Sequence, residues 1–211
     1  MLKFFYSTAT LSTPASIALE EAGIKFTPVE VSFKNNIHVD ELEKANPLGR
    51  VPTIVNENGK ALSQNLAVLE YIADLNPSSK LLAAPGSWER SKTISWLAFS
   101  ISDFHKCFTP LFQAEAMTTS KEAQAEIVQF GTENITEILR YLDQSLKGKD
   151  YIVGNHFTIA DCHLFVMFGW CTWAELDLTE YRNITSYMKG IYHRPSVQKV
   201  LKAEDLLDFV Q

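Results

Sequence analysis

The chain has 211 residues, 46% of them hydrophobic and 21% charged, with a formal net charge of -6. This composition supports a packed core rather than a disordered chain, and the acidic balance argues against nucleic acid, which calls for a basic face. No apolar stretch nears the roughly 20 residues of a membrane span, and the N-terminus MLKFFYSTAT lacks the apolar run of a secretory signal. Cys107, Cys162 and Cys171 form no CxxC pair and leave one odd thiol, so a soluble protein of the reducing cytoplasm is expected.

In chain order, Leu2 to Tyr6 reads as a compact aromatic strand. A hydroxyl-rich junction follows, in which Thr13 and Pro14 serve as N-cap and first helical residue. Ile17, Ala18 and Ala22 mark the helix's apolar face, and Gly23 stops it. Phe26 to Val31 reads as a second strand, and VDELEKANP as a short helix closed by Asn-Pro. Val51 to Val55 is β-branched strand, ENG a hairpin turn, Lys60 to Leu62 the return strand, and Leu66 to Leu75 a helix.

Residues 79 to 87, rich in Pro, Ser, Ala and Gly, suit a linker. Residues 88 to 211 then carry long stretches of helical period and almost no strand signal. The expectation is an α/β domain over residues 1–78, a linker at 79–87 and an all-helical domain over 88–211.

Several short motifs carry chemistry. Pro52 in VPTI is either an edge-strand proline or a cis-proline that turns the Val51 backbone outwards to pair with an extended peptide. Asn65 in SQN either caps the following helix or, with Gln64, belongs to a helix N-terminus aimed at a carboxylate. FTIAD is a capping box with Thr158 and Asp161, read as structural. His156, Asp161 and His163 have no metal-ligand spacing, and no metal site is expected. His105 and Lys106 make a small cationic spot, and Trp170 is either core or the wall of an apolar cavity.

Taken together, YS-x4-S-x4-IAL-x-EAG, NP-x-G-x-VP, L-x-x-x-A-V-x-x-YIAD, HK-x-F-x-PLF and YIVGNHFTIAD resemble the glutathione S-transferase family over essentially the whole chain, with the bacterial beta class the most similar. The resemblance implies an α/β thioredoxin-like N-terminal domain, an all-α C-terminal domain and a homodimer. It implies glutathione as co-substrate with no further cofactor. Val51 and cis-Pro52 would pair with the tripeptide's cysteinyl backbone, and Gln64 and Asn65 would hold its γ-glutamyl end. Ser102, His105 and Lys106 would reach in from the helical domain. Phe108, Phe112 and Trp170 would line a pocket for a small hydrophobic electrophile.

The beta-class cysteine falls on Leu11 in this chain, so a mixed disulfide with glutathione at that position is excluded. The remaining strategy is to activate glutathione's own thiol. Lowering its pKa from about 8.5 by about two units needs only about 2.7 kcal/mol, within reach of one or two hydrogen bonds to the anion. Ser12 is the preferred donor, Thr10 the second and Tyr6 the third, with His105 as a donor from across the cleft. Gln64-Asn65 replaces an acidic residue followed by Ser or Gly, and Ala98 stands where beta-class chains often carry Asn, which implies weaker glutathione binding. The function implied is conjugation of glutathione to electrophiles, or its use to reduce organic peroxides. The alternative is a non-catalytic binding or regulatory protein of the same fold.

Overall fold

A computed structural model describes residues 1–209 of the chain. Val210 and Gln211, assigned above to the helical domain, lie outside the described residues. The N-terminal unit runs β1 (Leu2–Tyr6), α1 (Thr13–Glu21), β2 (Phe26–Glu30), α2 (Val39–Ala45), β3 (Thr53–Val55), β4 (Ala61–Ser63) and α3 (Asn65–Leu75). The sheet order is β2-β1-β3-β4, with β1 parallel to β2 and antiparallel to β3, and β3 antiparallel to β4. This is the thioredoxin-like arrangement that the family resemblance implies, on the α/β pattern read from the strand and helix signals.

The alternation in LKFFY sorts its side chains between two cores. Leu2 and Phe4 join the main cluster with α1 and α3, while Phe5 joins Val29, Val31 and Leu42 under α2. Three local details differ from the sequence reading. Strand β3 begins at Thr53 rather than Val51, and the Val51–Pro52 bond before it is cis. The N-cap of α1 is Ser12 rather than Thr13, and Asn65 is the first residue of α3 rather than its cap. Residues 79–87 also pack firmly: Leu81 and Leu82 are buried, and the Leu81 carbonyl accepts the Ile159 N–H at 3.0 Å.

The second unit comprises α4 (Trp88–Phe99), α5 (His105–Met117), α6 (Lys121–Ser145), α7 (Ile159–Trp173), α8 (Arg182–Tyr192) and α9 (Pro195–Ala203). A single π turn, Ser100–Phe104, joins α4 to α5. Helix α7 is apolar all round and runs through the core, as such a pattern requires. Its N-terminus is fixed by buried Asp161, which accepts the Thr158 N–H and hydroxyl, the Ile152 N–H and the Tyr187 hydroxyl. Near its other end Gly169 admits the Phe209 ring, since a Cβ there would lie 2.4 Å from that ring. Helices α7 and α9 pack on α1, and Arg194–Glu21 and Lys199–Glu20 ion pairs tie the two units together.

Candidate functional site

The hydroxyl-rich junction turns out to be a closed circuit. The Ser12 hydroxyl is completely buried; it donates to the Ser7 carbonyl at 2.9 Å and accepts the Ser7 N–H at 3.0 Å. Thr10 Oγ1 donates to the same carbonyl at 2.7 Å, accepts the Ser12 N–H at 3.2 Å and lies 2.8 Å from Ser12 Oγ. Each hydroxyl has one proton, and every acceptor bonded to it belongs to the loop. Ser12 and Thr10, expected as donors to a ligand thiol, are here engaged with the loop's own backbone.

Tyr6 is the last residue of β1, as expected. Its ring stacks on Phe4 at 5.8 Å and lines a pocket at the β2 edge together with Glu204. Burial raises its pKa first, and the charges of Glu30 and Glu204 raise it further. Two carboxylates near this hydroxyl oppose a thiolate rather than favour one.

At the start of α3 the opposite condition holds. Gln64 is exposed and held at φ 75°, a strained conformation for a non-glycine residue, immediately before the helix. Buried Asn65 donates its Nδ2–H to the Leu11 carbonyl at 2.7 Å, which joins α3 to the β1–α1 loop and fixes the amide's orientation. Its Oδ1 is buried and has no partner. The first N–H groups of α3 and a lone amide oxygen therefore occur together. Val51 precedes the ladder register, which begins at Thr53.

The third group lies at the π turn and the first turns of α5. The His105 N–H bonds back to Ser100 across five residues, the signature of the π turn. The His105 ring is half-buried, and burial lowers its pKa; a bond to the Ile101 carbonyl opposes the shift and Lys106 adds to it. In the neutral ring one nitrogen carries the proton and the other can accept one. His105 therefore offers an acceptor nitrogen beside the donor expected above.

His105 packs against Trp170 with ring centroids 5.5 Å apart, and Trp170 lies 5.7 Å from Phe108 and 5.8 Å from Phe112. Phe108 is buried beneath Phe112, which is 49% exposed, so Phe108 is a floor rather than a wall. Lys106 is exposed and, among the described residues, forms no ion pair. Ser102, expected to reach a ligand, has its Oγ 2.8 Å from the Ala98 carbonyl and also close to Asp103 Oδ2, and its one proton serves either acceptor.

Residues 4–74 match the family model for the glutathione S-transferase N-terminal domain, and residues 101–195 match that for the glutathione S-transferase C-terminal domain. The chain belongs to the glutathione S-transferase family. It is 34% identical to glutathione S-transferase GstA of Escherichia coli O157:H7 over 97% of this chain and 100% of that one. A sphingomonad glutathione S-transferase solved in complex with glutathione superposes with a TM-score of 0.85 at 38% identity, covering 97% and 99% of the two chains. The bacterial beta-class glutathione S-transferase of Sphingomonas chungbukensis superposes with the same score at 36% identity and the same coverage.

Two features of this family member were missed in the sequence. One is the buried pair in which Ser100 Oγ and His163 Nδ1 lie 2.7 Å apart, locking the π turn against α7. Burial pushes the His163 pKa down to about 3, with His105 contributing. An isolated polar residue within an apolar helix was the available signal. The other is Glu204, buried just beyond α9, whose Oε2 accepts the Thr13 hydroxyl at 2.7 Å and the Ala9 N–H at 3.4 Å. In KAEDLLDF it reads as one more surface acid. An acid at a helix C-terminus is normally unfavourable, but here it meets the favourable N-terminal end of α1.

Proposed function

We propose that this chain is a glutathione transferase that conjugates reduced glutathione to small apolar electrophiles, working as a cytoplasmic homodimer. The observation that carries this reading is the start of α3. The γ-glutamyl end of glutathione bears both an α-carboxylate and an α-ammonium, so it calls for a donor set and an acceptor side by side. The first N–H groups of α3 suit the carboxylate, and the unpartnered Asn65 Oδ1 suits the ammonium. The Gln64 side chain serves the same end, the Val51 backbone pairs with the cysteinyl residue, and Leu11 borders it. The likeness to a transferase solved with glutathione supports this placement, and the names of the relatives favour an enzyme over a non-catalytic binding protein.

In this reading residues 1–78 hold glutathione and the helical domain after the 79–87 segment supplies the electrophile surface, chiefly Phe112 and Trp170 above Phe108. Neutral His105 takes the thiol proton, and Lys106 stabilises the thiolate by its charge. With chlorodinitrobenzene the sulfur attacks the ring carbon, a C–S bond forms, and chloride leaves with the C–Cl bonding pair. The proton on His105 then passes to water. Organic peroxides are a second class of acceptor for the same thiolate. The three unpaired cysteines accord with a reducing compartment.

Calorimetric titration with reduced glutathione and with S-hexylglutathione tests the site. Both ligands should bind, the alkyl chain should tighten the second, and an analogue lacking the γ-glutamyl amine should bind more weakly than glutathione. No heat from either glutathione or its hexyl derivative, with the protein folded, would overturn the reading.

A further inference from the structure

A pocket of about 150 Å³ lies at the β2 edge, between α1 and α9 and outside the residues assigned to glutathione and electrophile. Its walls are mainly apolar, with Phe4, Tyr6, Phe26, Pro28 and Val200, and Ser16 adds a hydroxyl. Phe26 meets Phe4 edge-on at 5.7 Å and Tyr6 stacks on Phe4 from the other side, so three aromatic rings adjoin one small cavity. Into this lining comes Glu204, only 3% exposed. Its Oε2 is held by Thr13 and Ala9, the nearby Ser16 hydroxyl also favours its charged form, and Oε1 is buried with no hydrogen-bond partner.

A carboxyl group is seldom left half-satisfied in an apolar wall, because the uncompensated oxygen carries a desolvation penalty. Glu20, also on the lining, has its own cation in Lys199 at 2.6 Å. Among the described residues Glu204 forms no ion pair. The negative charges of Glu204 and Glu30 both act on Tyr6, so the surroundings carry a surplus of negative charge. Aromatic faces and a carboxylate share one preference, for an organic cation.

We propose that this pocket is a second ligand site, for a small apolar amine. The ammonium would bond to Glu204 Oε1, and the hydrocarbon would occupy the cavity against the three rings. A cavity of about 150 Å³ matches a group of benzene size. An amine that arrives neutral forms the same ion pair by taking the proton of the Glu204 acid. Because the other Glu204 oxygen holds Ala9 and Thr13, an occupant would sit one carboxylate away from the β1–α1 loop.

Benzylammonium and its neutral counterpart benzyl alcohol are suitable probes, titrated into the whole protein with and without saturating S-hexylglutathione. Benzylammonium should bind at least about tenfold tighter than benzyl alcohol, and S-hexylglutathione should not displace it. Glu204→Gln keeps an acceptor for Thr13 and Ala9 but removes the charge, and should make the two probes equal. Ala203→Trp, at the exposed rim, should block both probes and stands in if the first variant does not fold. Equal affinities in the parent protein, no binding of either probe, displacement by S-hexylglutathione, or amine binding unchanged in a folded variant would each overturn the proposal.

Discussion

The β1–α1 loop and the first turn of α5 are both polar junctions beside the domain boundary, yet they use their polar atoms in opposite ways. In the loop, the Thr10 and Ser12 hydroxyls are committed to the Ser7 backbone and to each other. At α5, burial favours the neutral His105 ring, which keeps one nitrogen free of a proton. A count of hydroxyls therefore misdirects: a group that completes a buried network stabilises the fold, and a group with an open valence is the one that can react.

The largest expected effect comes from removing the open valence. His105→Gln should lower turnover with chlorodinitrobenzene about a hundredfold, the lower range for loss of a general base. Only the neutral ring accepts a proton, and burial depresses the His105 pKa from the usual 6.5. The rate should therefore hold as pH drops through 6.5 and fall only at lower pH, and this acid limb should vanish in the variant. A profile with the same limb in both proteins would break the contrast between the two junctions.

His163 offers the counterpart, a histidine that is fully enclosed. Its folded pKa of about 3 lies below the unfolded value, so between these values the unfolded chain binds the extra proton. Stability should then fall as pH drops below 6.5, with a slope approaching about 1.4 kcal/mol per pH unit. Denaturant titrations from pH 7 to pH 4 measure it, and Ser100→Ala/His163→Leu should flatten that slope. A slope unchanged in the double variant would mean other groups carry it.

Ser12→Ala sharpens the comparison from the loop side. Loss of the buried hydroxyl leaves the Ser7 N–H without its acceptor and should lower the unfolding free energy by about 1–3 kcal/mol. Turnover per folded molecule should stay within about twofold, since the hydroxyl faces the loop and not a ligand. A large fall in turnover without loss of stability would restore Ser12 to the chemistry.

The pattern of legibility follows the same division. Periodicity and caps placed β1, α1 and α3 within a residue or two, because each is dictated by local alternation, by Pro14 and by Gly23. The grouping of His105, Phe108, Phe112 and Trp170 followed from the family resemblance, and the rings do cluster. Which hydroxyl faces inwards could not be read from YSTATLSTP, because that choice is made by carbonyls that converge only after the loop closes on itself. Glu204 was invisible for a related reason: its partners, Thr13 and Ala9, lie 191 and 195 residues away in sequence.

Asn65 joins the closed region to the open one, and its effect should be the smallest. Nδ2 clamps the Leu11 carbonyl, while Oδ1 is the free acceptor assigned to the glutathione ammonium. Asn65→Leu removes both, and glutathione binding should weaken about tenfold, or about 1.4 kcal/mol. The two roles separate with a ligand that lacks the γ-glutamyl amine. If Oδ1 meets the ammonium, the parent protein and the variant should bind that analogue almost equally, because the contact is already missing. If the clamp on Leu11 is all that matters, the variant should lose the same factor with either ligand. Calorimetry on two proteins and two ligands closes this cycle, and a coupling free energy near zero would leave Asn65 with a purely structural role.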